Sequence, residues 1–372
     1  MSNLDLTSKR RVGRPAERQD EIVESIRGQI VAGTLPMGNR LPTREEIGRQ
    51  YGAGANTVQR ALDRLKEDGF IRSSGSNGTH VSLTPPHLNR YAVVFPSNPS
   101  ETHHWVRFWT ALSNELAGIA KVREGKYPVY HDVDTDPTTA DYRALVDDIK
   151  SHRLAGIFFA ATTVQLTGSL ILTEPDIPRV SIARYGVTPF PTIITDTQTF
   201  FDKAIGALAE AGCRRIATIN PHGLEDEVAQ ACRISGDFGM ETRPFWNHFL
   251  YPQHPQTAKS LAHLLMSLPA SERPDGLIVS DDNLVECATS GVVAAGVRVP
   301  EELAIVAHCN FPWAASSVVP VRRLGFDARA VLHTAFDLID AMRRHEAVPP
   351  FTNISSIFES ELPKSTPYNS NK

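Results

Sequence analysis

No apolar run in the 372-residue chain approaches the ~18 residues a membrane-spanning helix needs, so no transmembrane helix is expected. Nor does an apolar stretch follow the basic N-terminal residues Lys9, Arg10, Arg11 and Arg14, so a secretory leader is not expected either. C-x-x-C pairs are missing: Cys213, Cys232, Cys287 and Cys309 are widely spaced, which argues against a zinc ribbon or a redox dithiol and fits a reducing, cytoplasmic setting. Enzyme signatures are missing as well. There is no G-x-S-x-G elbow, no G-x-x-x-x-G-K-[ST] loop, no H-E-x-x-H helix and no G-x-G-x-x-G after a strand. His103-His104 is the only tight histidine pair, and helical neighbours point in different directions, so it reads as solvated surface. No catalytic residue, metal or cofactor is expected. What the chain does have is ordinary globular composition, with 41% apolar and 22% charged residues, and a length suited to two or three domains of roughly 150 residues.

The net charge of -4 is unevenly distributed. Residues 1–83 carry 13 Lys and Arg against 10 Asp and Glu, and the remainder carries 25 against 32. A basic segment on an acidic body is the pattern of a nucleic-acid reader attached to something else. Residues 1–16 read as a disordered basic arm. Ile22, Val23, Ile26, Ile30 and Val31 recur at helical spacing and predict a helix over about 17–32. Thr43-Arg44-Glu45-Glu46 has capping-box spacing and opens a short second helix that ends near Gly52. A third, from about Asn56 to Gly69, buries Val58, Ala61, Leu62 and Leu65. Asn77-Gly78, between Phe70–Arg72 and Thr79–Val81, predicts a hairpin. Three helices and a hairpin over 17–83 describe a winged helix-turn-helix, mainly α with a β-hairpin wing.

Ile30 to Thr43, Asn56 to Leu62, Leu65, Asp68 to Ile71 and Gly78 to Val81 resemble the landmarks of the GntR family, in order and correctly spaced. The resemblance implies a double-stranded DNA operator as partner. Arg44, Asn56, Thr57, Gln59, Arg60 and Arg64, with Asn77 on the wing and Arg14 on the arm, are the candidate DNA contacts. Asn56 and Gln59 suit adenine; Arg60 and Arg64 suit guanine or phosphate. Glu45, Gly54, Ala55 and Gln59 stand where the family often has arginine or serine, so a typical family operator does not follow. For Arg10, Arg11 and Arg14, sequence-independent phosphate attraction is the favoured reading over insertion into an A·T-rich minor groove.

A Pro85-Pro86 linker over 84–89 precedes a change of pattern. From 90 to 362, candidate strands at 91–95, 155–160, 179–183, 215–219, 276–279 and 303–307 alternate with helical stretches such as 103–120, 197–211, 256–268, 283–295 and 327–345. This predicts an α/β body of two parallel-sheet lobes. Ile194-Thr195-Asp196, Ala211 to Ala217, Pro274 to Asp282 and Gly296 to Val306 resemble the LacI/GalR sensor, a two-lobed periplasmic-binding-protein-like (type I) fold. The expected division is lobe one at about 90–194 and 312–326, lobe two at about 195–311 and 327–362, and a disordered tail at 363–372.

The resemblance implies a small effector, a sugar or derivative, held between the lobes at strand C-terminal ends. Strand position nominates Asn98, His103, Trp105, Arg184, His222, Asp282, Asn310 and Trp313. Asp282 matches the family's ligand-binding aspartate. Ala307-His308-Cys309-Asn310 stands where the family shows Gly-aromatic-Asp-Asp, so the usual second carboxylate is absent. The expected protein is a dimeric, ligand-responsive repressor whose head responds through lobe closure rather than direct contact with the cleft. The alternatives are an α/β enzyme tethered to DNA by its head, or an architectural DNA protein with an occluded cleft.

Overall fold

A computed structural model describes residues 15–101, 105–183 and 189–362. Arg10, Arg11, Arg14, His103, His104, Arg184 and the 363–372 tail therefore lie outside the described residues.

In the head, α1 (Pro15–Val31), α2 (Arg44–Tyr51) and α3 (Ala55–Glu67) precede an antiparallel pair, β1 (Ile71–Ser73) and β2 (Thr79–Val81). The start of α2 is fixed as its sequence predicts. The Thr43 hydroxyl accepts from the Glu46 amide, and the Glu46 carboxylate accepts from the Thr43 amide. Gly52, at φ +60°, ends that helix in the left-handed conformation glycine tolerates. Ile22, Ile26, Ile47, Val58, Leu65, Phe70 and Val81 form one core beneath both helices and wing.

A single turn, α4 (Pro86–Asn89), leads into lobe one: β3 (Tyr91–Val94), α5 (Arg107–Val122), β4 (Val129–Tyr130), α6 (Ala140–Lys150), β5 (Gly156–Phe159), α7 (Leu170–Thr173), β6 (Arg179–Ile182) and β7 (Thr192–Thr195). Lobe two follows with α8 (Thr197–Glu210), β8 (Ile216–Pro221), α9 (Glu225–Asp237), β9 (Asn247–Leu250), α10 (Gln256–Met266), β10 (Gly276–Val279), α11 (Val285–Ala294), β11 (Ala304–Phe311) and β12 (Arg322–Asp327). Then α12 (Ala328–Arg343) and β13 (Phe351–Ile354) return to lobe one, and β14 (Ile357–Phe358) crosses back to lobe two. The sheets run β13-β7-β6-β5-β3-β4 and β14-β12-β11-β10-β8-β9; every neighbour pair is parallel except β12 with β14. Each lobe therefore reverses strand order beside its first strand, and crevices at such points open at strand C-terminal ends.

The chain's final crossings differ from the expected division. Residues 322–327 pair with β11 from Val306↔Arg322 to Phe311↔Asp327 and so belong to lobe two. α12 instead buries Val331, Leu332, Ala335, Phe336 and Ile339 in the lobe-one core, and β13 extends the lobe-one sheet beside β7. Alternation of strand and helix says that elements pack, but which of two similar sheets a returning strand joins depends on long-range pairing. These late elements therefore sit in the opposite lobes from those expected.

Gly325 fixes how closely β11 and β12 approach. A Cβ there would lie 1.9 Å from the Cys309 carbonyl oxygen, a backbone atom with no rotamer to escape into. Gly325→Ala is expected to destabilise the chain by about 3 kcal/mol through overpacking, read as a lower thermal midpoint. An unchanged midpoint would mean that the strands slide apart freely.

Candidate functional site

Two surfaces qualify. On the head, Arg44, Gln59, Asp63 and Lys66 line a groove of about 430 Å³ together with wing residues Ser73, Gly75, Gly78 and Thr79. Asn56 and Arg60 are exposed on α3 and Thr57 is half-buried. Gln59 is held at both ends: Arg44 Nη1 donates to its Oε1 at 2.8 Å, and its Nε2 donates to Asp63 Oδ1 at 2.8 Å. Arg64 turns toward α1, pairing with Asp20 at 2.9 Å. Asn77 ends the turn between the wing strands. Arg40 sits under Gly78 (φ +91°), where a Cβ would lie 2.8 Å from its Nε.

Between the lobes is a cavity of about 380 Å³. From lobe one, α5 supplies Phe108 and Trp109, and the chain after β5 supplies Ala160, Ala161 and Thr162. From lobe two, Ser280 to Asn283 follow β10, while His308 and Asn310 come from the end of β11. Thr195, Thr197 and Phe200 enter from the first crossing. Trp109 is fixed by its Nε1, which donates to the Ala160 carbonyl at 2.9 Å. Asp281 turns the chain out of β10 by accepting from the Asn283 backbone amide at 2.8 Å. That turn directs Asp282 inward, where it is 3% exposed and its Oδ2 accepts from Asn310 Nδ2 at 2.9 Å.

Burial, and then the neighbouring Asp281, push the Asp282 carboxyl up to about 7, against the opposing pull of Asn310 and Arg107. Arg107, the first residue of α5, reaches across from lobe one. Its Nε is 3.8 Å from Asp282 Oδ2, and its backbone amide donates to Asn283 Oδ1 at 3.1 Å. Farther along α5, Glu115 accepts from Trp313 Nε1 at 2.8 Å. The lobes are thus bridged by side chains along one helix.

Of the eight residues nominated for the cleft, only Asp282 and Asn310 line this cavity; His103 and Arg184 lie outside the described residues. Asn98 instead donates to Asp132 at 2.7 Å. Trp105 packs against Phe95 and Trp109 and borders an adjoining hollow with Pro252 and Pro255. His222 packs at a tilt against Tyr251, ring centroids 4.4 Å apart, beside Glu225, and does not line the cavity. Trp313 bridges the lobes outside the cavity. Among the lining residues that sequence reading missed, Phe108, Trp109 and Phe200 sit at the first turns of helices. Had the start of α5 been put at 107 rather than 103, the aromatic pair after Arg107 would have been found.

Among the described residues no group of three or more His, Cys, Asp or Glu is placed to hold a metal ion. No helix there is long and apolar enough to cross a membrane.

Residues 18–81 match the profile of bacterial regulatory proteins of the gntR family, and residues 205–356 that of the periplasmic binding protein-like domain. The chain is 22% identical to the arabinose metabolism transcriptional repressor of Geobacillus stearothermophilus over 357 residues, covering 92% of this chain and 95% of that protein. It is 24% identical over 191 residues to the vitamin B6 salvage pathway transcriptional repressor PtsJ of Salmonella typhimurium, and spans less than half of it (44%). Among solved structures it resembles a LacI family transcriptional regulator from Lactobacillus casei with bound glucose. That match has a TM-score of 0.53 and 14% identity, covering 73% of this chain and 98% of the other.

Proposed function

We infer, from a chain whose residues 18–81 are a gntR-type regulatory domain and whose residues 205–356 are periplasmic-binding-protein-like, that it is a ligand-responsive transcriptional repressor. It acts in the cytoplasm as a homodimer, with double-stranded DNA and a small polyhydroxylated effector as partners. The observation that carries this reading is one polypeptide with an α3 face suited to DNA and a two-lobed cavity containing the buried Asp282–Asn310 pair. A carboxylate beside a carboxamide can take adjacent hydroxyls, and Trp109 and Phe108 offer apolar faces to a ring. Relatives named as repressors of sugar metabolism support the effector class.

The enzyme alternative has less behind it. Asp282 is held by Asn310, not by a nucleophile or base; His222 lies away from the cavity, and His308, which lines it, packs its ring against Phe200 and Phe326. The cavity's volume likewise speaks against an occluded, architectural protein.

A thermal-shift screen of neutral sugars, followed by duplex selection from a random library, tests the reading. The expected result is at least one sugar that raises the melting temperature and weakens binding to the selected duplex. A protein that selects no duplex, or a bound sugar without effect on it, would overturn the repressor reading. Deleting residues 1–16 is expected to weaken duplex binding and flatten its salt dependence, by ~0.9 in log–log slope for each phosphate no longer neutralised. A change in preference for A·T-rich flanks at constant slope would instead put those arginines in the minor groove.

A further inference from the structure

Asp68 occupies an awkward place. It caps the C-terminus of α3, where the helix dipole disfavours a carboxylate, and its side chain is only 9% exposed. Two arginines compensate. Arg27, from α1, donates to Oδ2 at 2.9 Å. Arg153, which belongs to lobe one, donates Nη1 to Oδ1 at 2.7 Å. The same Arg153 guanidinium gives Nε to Asp148 Oδ1 at 2.5 Å and Nη2 to Asp147. Asp148 is itself buried and takes Arg90 Nη2 at 2.7 Å and the Tyr130 hydroxyl. One connected set of charge-assisted bonds therefore runs from the end of α3 to β4, an edge strand of the lobe-one sheet.

The connection beside it is packed rather than slack. Phe70 is fully buried, and the His87 ring stacks on it with centroids 5.9 Å apart. Arg343, on α12, donates to the Leu88 carbonyl at 2.8 Å. The Arg27 guanidinium lies 5.6 Å from the Phe70 ring centroid. Residues 84–89 are thus pinned from both the head and lobe one.

We propose that Arg153 is a positioning residue that locks the winged head onto lobe one, so that the spacing of operator half-sites is set by how two lobe-one bodies sit in the dimer. The proposal rests on the repressor reading given above. Its physical basis is that one planar guanidinium forks across three carboxylates of two domains, a geometry that fixes orientation as well as distance. A head held in this way moves with lobe one when the lobes shift against each other. A head held by the linker alone would tolerate several spacings.

Arg153→Ala is the informative variant because Arg27 still pairs Asp68 within the head, and Arg90 still pairs Asp148 within the lobe. R153K keeps the charge but cannot fork. Small-angle scattering of the full-length protein, without DNA or sugar, is expected to give a larger and more flexible particle for R153A, with R153K in between. Selection from a random duplex library should return the same half-site letters for all three proteins. Wild type should hold one spacing and R153A several, with roughly tenfold weaker binding at the wild-type spacing.

Unchanged scattering together with a single retained spacing in R153A would overturn the proposal, as would a wild type that accepts several spacings. Expanded scattering with no duplex selected by wild type would leave the docking standing and remove the repressor reading. Should R153A not fold, R153K carries the same two measurements, and its failure to differ from wild type in either would overturn the proposal.

Discussion

Asp282→Asn is expected to abolish the response of operator affinity to the effector while leaving affinity without effector within about twofold of wild type. The variant keeps the shape of the side chain and an oxygen to accept from Asn310, and replaces the ionisable carboxyl with a neutral carboxamide. A ligand that bridges the lobes shifts DNA affinity only through its differential affinity for the two arrangements, typically about 5- to 150-fold. Losing the one buried carboxylate of lobe two that also faces Arg107 removes that difference. Operator titrations of both proteins, with and without the best sugar from the thermal-shift screen, measure this. A variant that still responds fully would take Asp282 out of the site.

The same substitution should stabilise the protein at alkaline pH. The Asp282 carboxyl is raised from 3.8 to about 7 in the folded chain. Between those values the folded state holds a proton that the unfolded state has released, so stability falls as pH rises through the window. The neutral carboxamide of D282N carries no such penalty. D282N should be more stable than wild type at pH 8 by about 0.5–2 kcal/mol, read as a higher thermal midpoint, with the gap shrinking toward pH 5. A gap that widens on acidification would contradict the raised carboxyl. Asp281, Asn310 and Arg107 surround the group.

On the head, Arg44→Ala is expected to weaken operator binding more than Gln59→Ala, about 2–3 kcal/mol against about 1. Gln59 already uses its carbonyl on Arg44 and its amide on Asp63, so reading a base would cost it two hydrogen bonds. Arg44 commits one Nη1 bond and keeps donors for a guanine edge or phosphate. Competition titrations against duplexes changed at single positions would separate the two roles. A larger loss for Gln59→Ala, confined to one base pair, would make Gln59 the reader and Arg44 its support.

How far the sequence could be read depended on whether the determining contacts were local. The start of α2 was legible because Thr43 and Glu46 satisfy each other within four residues. Strand β10 was legible to the residue, because Gly276–Val279 is a short apolar run bounded by Asp275 and Ser280. Strands β7, β9, β12 and β13 were not identified as strands. Their burial is only partial and their identity comes from partners far along the chain, as with Phe351↔Thr192. The cleft shows the same division. Asp282 was placed by its own turn, whereas Trp109 and Phe200 enter the cavity only because two helices begin where they do. Direct docking of the head on lobe one left no trace in the sequence pattern, since Asp68 and Arg153 meet only across 85 positions.

The late return of α12 to lobe one has a consequence for biogenesis. β7 ends at Thr195, and the helix that completes its core begins at Ala328. The intervening stretch is the continuous part of lobe two, which can close as soon as β12 has emerged. Lobe one must wait through some 130 further codons, roughly 7–26 s at usual elongation rates, with the surface that will receive Phe336 and Ile339 still open to solvent. Translation therefore finishes the second half of the sensor before the first.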